Sequence, residues 1–420
     1  MRVRLWLLLS LLASGISWLY MSRVLLPWEY CINVSHGTLK SQMGDLYPSW
    51  IGTRELLLRG RNPYGPEVSH EIQMAFYGHV IDQEYGKPGV AVVDEQRFAY
   101  PVYVVFLLAP TVRLSFSQLQ AWTPLIFAML TAVSVLLWLD VLRWRPPATA
   151  IVAMVLFVLS SPQVMQGLRL RQLGLLIGFL LAMGAWCISR NHLVAAGIIL
   201  AIATLKPQMA VLPLAWFLVW SLGSWAKRWP LLAGFGITLA ALAGMGEIIL
   251  PGWPRDFVNG VLAYQQYSAT TSPLSLILGT RISGELSGLV IIGLLALAWQ
   301  NRHANAASRE FVYTLVSSCI AATLVLRLLT PFNQVLLLLP AVIIVRDWDA
   351  LPRAGRSAFA IIVAWPWVTS LVLLLLHPRL DSTNRLPLLP SAMVVLLPFV
   401  LLLLSTTRWS WTDERLPATD

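Results

Sequence analysis

Leucine-rich apolar runs recur along almost the whole chain, and the connections between them are short. A run of about 20 apolar residues is what a hydrocarbon layer requires of a helix, because the backbone polar groups there have no water to bond to. The pattern therefore predicts an all-α polytopic membrane protein with about twelve transmembrane helices, over Leu5–Leu26, Gln120–Leu142, 147–162, 172–188, 192–205, 208–224, 229–250, 285–299, 311–328, 332–345, 357–376 and 387–405. The runs are continuous rather than alternating with period two, which excludes an outer-membrane barrel. Pro101–Leu114 is apolar but short and is broken by Pro110, so it is expected to be re-entrant or interfacial.

Charge then fixes the expected topology. The net charge of +10 would suggest a nucleic-acid partner in a soluble protein. Here arginine and lysine fall mostly between the runs, where they act as topology signals, and no nucleic-acid partner is expected. With Arg2 and Arg4 inside, the first run leads to a long outer loop, about 27–118, and a second outer loop is expected at about 251–284. Both termini are then cytoplasmic, and residues 1–420 read as one integral membrane domain in a plasma or inner membrane. The first run has no small-residue cleavage site and ends in Tyr20, Arg23, Pro27 and Trp28, which suits an uncleaved anchor. Cys31, Cys187 and Cys319 are too scattered for a disulfide framework or a zinc site, so no metal is expected.

Candidate chemistry sits where polar residues interrupt this scheme. Gly44-Asp45-Leu46-Tyr47-Pro48 places one carboxylate at the start of a segment in which Tyr47, Trp50, Ile51, Leu57 and Leu58 recur at helical spacing. Such a helix is expected to lie along the outer membrane surface. Asp45 can cap that helix or serve as a catalytic base, and the pattern does not choose between them. Glu55, Asp82, Asp94 and Glu95 read as solvated charges. Arg169, Arg171, Lys206 and Arg327 stand on the expected outer side, against the positive-inside rule. They can hold an anionic lipid phosphate or snorkel to headgroups.

In order along the chain, Asp45-Leu-Tyr-Pro-Ser-Trp, Arg54-Glu55, Gly60-Arg-Asn-Pro-Tyr64, Tyr100-Pro101, Gln172 at the start of a run, Leu205-Lys206-Pro207 and Thr330-Pro331 resemble the polytopic C-type glycosyltransferases. Within that superfamily the chain looks like the polyprenol-phosphate-mannose-dependent mannosyltransferases, which include the mycobacterial phosphatidylinositol-mannoside enzyme. Two places depart from that pattern: Phe332-Asn333-Gln334 follows the proline where relatives often carry His, Trp or Asp-Tyr, and Gln172 is followed by Leu173 rather than a second amide.

The resemblance implies an inverting transfer on the outer face, from a polyprenyl-phosphate sugar to a lipid- or glycan-linked acceptor, with no cofactor. Asp45 would be the general base. Arg169, Arg171, Lys206 and Arg327 would face the donor phosphate, while Tyr47, Arg54, Gln172, Gln208 and Asn333 would line the substrate site. A transporter or flippase of a lipid-linked or anionic substrate is the competing reading, but it predicts matched broken helices in two halves, which the sequence lacks. A glycan polymerase or ligase would carry its larger loops late in the chain rather than after the first run.

Overall fold

A computed structural model describes residues 2–35, 43–81, 96–267, 272–326, 330–377 and 385–406, and every regular element among them is helical. The chain begins with α1 (Arg2–Tyr20), a π-helical turn at Met21–Leu25 and α2 (Leu26–Ser35), which together make one long run. The short α3 (Leu46–Arg59), α4 (Pro66–Tyr77) and α5 (Val104–Leu108) precede α6 (Phe116–Val141). Helices α7 (Ala148–Ser160) and α8 (Pro162–Leu170) meet at a 59° bend. They are followed by α9 (Leu173–Ser189), α10 (Leu193–Ala203), α11 (Pro207–Gly223) and α12 (Trp225–Ile249). Then come α13 (Trp253–Tyr267), α14 (Pro273–Leu278), α15 (Thr280–Gln300) and α16 (Arg309–Val325). A 3₁₀ segment at Pro331–Leu337 leads into α17 (Leu338–Arg346), and α18 (Arg353–Leu376) and α19 (Leu397–Thr406) complete the described chain.

The boundaries follow from local chemistry. Ser115 accepts from the Gln118 N–H and the Gln118 side chain returns to the Ser115 N–H, a capping box that starts α6. Ser161 caps α8 from the bend, and Pro162 in its first turn lacks the N–H that would have continued α7. Pro207 opens α11 in the same way, directly after Lys206.

Six described segments are long and apolar enough to cross a membrane: Arg4–Val34, Phe116–Val141, Trp225–Ile249, Thr280–Gln300, Arg353–Leu376 and Leu386–Leu404. The bent pair α7–α8 makes a seventh if it is one crossing. These helices make the chain an integral membrane protein; among the described residues, helices of full crossing length account for about half of the twelve expected spans. The difference lies in helices such as α9, α10 and α11, with 17, 11 and 17 residues. At 1.5 Å per residue α10 reaches only about 17 Å; Leu193, Ala196, Gly197 and Leu200 along it are buried, while Val194 and Ile198 are exposed.

Its closest partner is α12. A Cβ on Gly197 would stand 2.2 Å from the Leu231 carbonyl oxygen, and one on Gly234 would stand 2.6 Å from that of Val194. The two backbones therefore meet through glycine, the usual device for close helix crossings in membranes. Elsewhere Trp216, Phe217 and Trp220 surround the ring of Phe311, so these tryptophans pack the core.

Two expectations about the first loop need correction. Helix α3 has buried side chains on every face from Leu46 to Thr53, and only its last turns, with Leu57 and Leu58, are exposed. It is enclosed by α4, α5 and Phe98 rather than laid against a surface. Glu55 is not a solvated charge: it is 2% exposed, with Arg59 at 2.9 Å and Arg61 at 3.4 Å. A buried carboxylate needs such partners, because desolvation otherwise outweighs any gain. Asp82, Asp94 and Glu95 lie outside the described residues.

Candidate active site

Four connections bring their polar residues to one place. The first is the turn before α3. Gly44 has φ +68°, and a Cβ there would stand 2.6 Å from the Leu170 carbonyl oxygen, so both backbone conformation and space require glycine. This close approach lets the Asp45 N–H donate to that carbonyl at 2.8 Å, which fixes Asp45 on the last turn of α8. The capping alternative does not hold. Although Asp45 occupies the N-cap position of α3, its side chain makes no cap hydrogen bond. Its carboxylate instead accepts from Gln172 Nε2.

Gln172 lies between α8 and α9, and its other amide atom, Oε1, accepts from Lys206 Nζ at 3.0 Å. An ammonium can only donate, so the amide must turn its oxygen to Lys206 and its NH2 to Asp45. Lys206, between α10 and α11, also donates to Asn333 Oδ1 at 3.0 Å, and Asn333 Nδ2 donates to Thr330 Oγ1 at 2.5 Å. The result is a chain of hydrogen bonds, Asp45–Gln172–Lys206–Asn333–Thr330. Gln172, Lys206 and Asn333 are all buried, and the Phe332 ring centroid lies 5.0 Å from the ammonium. Gly174 makes room for them: a Cβ there would stand 3.4 Å from Lys206 Nζ and 3.1 Å from Met209 Sδ.

Burial pushes the Lys206 ammonium down to about 8, and the negative charge of Asp45 opposes that shift. Burial also raises the Tyr100 phenol, with Asp45 adding to the effect, which places Tyr100 within the field of the carboxylate. On the other flank, Arg171 is half-buried in a left-handed turn, φ 53°. It donates through Nε to the Gln120 carbonyl at 3.2 Å, and desolvation lowers its pKa, with Arg169 adding to the shift.

The structure thus brings together Asp45, Gln172, Lys206 and Asn333, with Arg171 adjoining them in the chain. It sets the other expected residues apart. Arg169 forms an ion pair with Glu29 of α2. Tyr47 is buried edge-on against Phe116 and Phe76, Arg54 lies over the Trp50 ring at 5.4 Å, and Gln208 is exposed on the first turn of α11. Arg327 lies outside the described residues.

The Gly60–Gly65 motif supports the site from behind. The Asn62 side chain accepts from the Tyr64 N–H at 2.9 Å and donates to Asp256 of α13 at 2.8 Å. Tyr64 Oη donates to the Tyr100 carbonyl at 2.6 Å. Sequence reasoning missed the roles of Gly44, Gly174, Phe332 and Thr330. Only Gly44, beside an acid before a helix, carried a local signal for a left-handed turn.

Among known families, the model of glycosyltransferase family 87 matches residues 98–331, more than half of the chain. The matched region contains Gln172, Lys206 and Thr330; Asp45 precedes it and Asn333 follows it. No curated protein and no solved structure matches the chain.

Proposed function

The chain belongs to glycosyltransferase family 87, and on that premise we propose that it transfers a sugar, mannose by its resemblance, from a polyprenyl-phosphate donor to a lipid- or glycan-linked acceptor on the outer face of the membrane. The observation that carries this reading is the buried chain from Asp45 through Gln172 to Lys206. It holds one carboxylate and one cation close together and fixes their order.

In the proposed reaction the acceptor hydroxyl attacks the anomeric carbon from the face opposite the phosphate, and the configuration inverts. Asp45 takes the hydroxyl proton as the new C–O bond forms. The bond from the anomeric carbon to the phosphate oxygen breaks, and the electron pair leaves with the polyprenyl phosphate. Phosphate is a good leaving group and needs no protein acid. Lys206 and Arg171, on either side of Gln172, offset the charge that develops on it. Arg169, paired with Glu29, is given no part in this step.

Asp45→Asn tests this. An asparagine can still accept from Gln172 through its oxygen but cannot take a proton. Transfer assayed in membranes with polyprenyl-phosphate mannose should fall about 10²- to 10⁴-fold, while donor binding persists. A folded variant that works at the parent rate would remove Asp45 from the chemistry.

A further inference from the structure

Away from the Asp45 site, a polar cavity lies at the far end of α6. It encloses about 280 Å³ and is lined by Asp140, Val141, Arg143, Arg145, Ser189, Arg190 and Ala307. The Asp45 site stands beside the start of α6, where Tyr47 meets Phe116 and Arg171 meets Gln120. The 26 residues of α6 separate the two ends by about 39 Å at 1.5 Å per residue, so the cavity belongs to the opposite membrane boundary.

Three guanidinium groups face one carboxylate in this lining, and that carboxylate is already engaged. Asp140 Oδ2 accepts from Trp186 Nε1 at 2.7 Å and from Arg190 Nη2 at 2.5 Å. Arg143 and Arg145 thus find no second acid among the lining residues. Their backbone is held in place. Arg143 has φ 51° and occupies the left-handed position of a helix-ending motif, with its N–H on the Asp140 carbonyl and the Trp144 N–H on that of Leu139. Glycine is the usual residue there, and an arginine accepts strain for its side chain. Arg145 precedes Pro146-Pro147, which restricts it to extended backbone, and Trp144 between the two arginines packs against the core.

An apolar track leads away from the cavity. Met129, Val133 and Leu136 are exposed on α6, and with Asp140 they recur every three or four residues, so they share one face of the helix. We infer that the cavity is a second binding site, for a phosphate group, and that the phosphate is the headgroup of an acidic lipid whose acyl chain lies along Met129, Val133 and Leu136. Paired arginines suit phosphate oxygens because each presents a planar fork of donors. Free phosphate offers the same oxygens without the chain.

The test uses the purified full chain in a neutral detergent and reads its thermal midpoint. Phosphatidylglycerol should raise the midpoint, while phosphatidylcholine and inorganic phosphate should do so far less. An equal rise with inorganic phosphate would keep the anion site but overturn the lipid. The variant Arg143→Gly with Arg145→Gln keeps the turn and relieves its strain, so it should be at least as stable as the parent without lipid. It should bind phosphatidylglycerol about tenfold more weakly, whereas replacing the exposed Arg353 by Gln should leave binding unchanged. Parent-like binding by the double variant, or an equal loss with Arg353→Gln, would overturn the site. None of these readouts depends on glycosyl transfer.

Discussion

Lys206 is charged at a cost, and its pH behaviour follows from that. Its folded pKa of about 8 lies below the value of about 10.4 for an unfolded lysine. Between these values the unfolded chain holds a proton that the folded chain has lost, so this group makes the fold more stable as pH rises through that window. On the proposed reaction its contribution to donor binding runs the other way, because the ammonium that would offset phosphate charge disappears above about 8. Donor saturation measured from pH 7 to 9.5 should weaken with rising pH in the parent. In Lys206→Arg, which stays protonated, that slope should vanish even if overall affinity drops; an unchanged slope would separate Lys206 from the donor.

At the scale of elements, the glycine crossing of α10 and α12 sets a steric limit. Gly197→Ala puts a methyl 2.2 Å from a backbone oxygen, which no side-chain rotation can relieve, and should cost about 1–3 kcal/mol or more. Gly236, also in α12, has nothing within 4 Å of its would-be Cβ, so Gly236→Ala should be neutral or stabilise by up to about 1 kcal/mol. Thermal unfolding of the two variants in detergent gives the comparison. The elements themselves were largely legible in the sequence, since apolar runs and proline breaks are local signals. Asp45, Gln172, Lys206 and Asn333 were legible because each is polar where its surroundings are apolar. Their order was not, because the hydrogen bonds join positions 127 residues apart. The burial of Glu55 was equally hidden, since a lone glutamate beside arginines has the composition of a wetted helix face. The enclosure of α3 escaped for a related reason: a helical apolar stripe says that a face is covered, not whether lipid or protein covers it.

For the whole molecule, the proposed topology puts the two polar sites at opposite ends of α6 on opposite faces of the membrane. In a chain with its exposed Cys31 replaced by serine, Glu67→Cys on α4 and His303→Cys between α15 and α16 give two reporters, both at exposed positions. A membrane-impermeant maleimide should label the first in sealed, right-side-out vesicles and the second only after permeabilisation. Labelling of both from one side would contradict the placement of the two sites on different faces.

Gln172 bears on why the acid and the cation coexist. Had Lys206 met Asp45 directly, the pair would have collapsed into a salt bridge, and a carboxylate in that state has little appetite for a proton. A neutral amide between them bonds to both and passes orientation along the chain, while the two charges still act on each other. A charged residue at position 172 would therefore short-circuit the pair, whichever sign it carried.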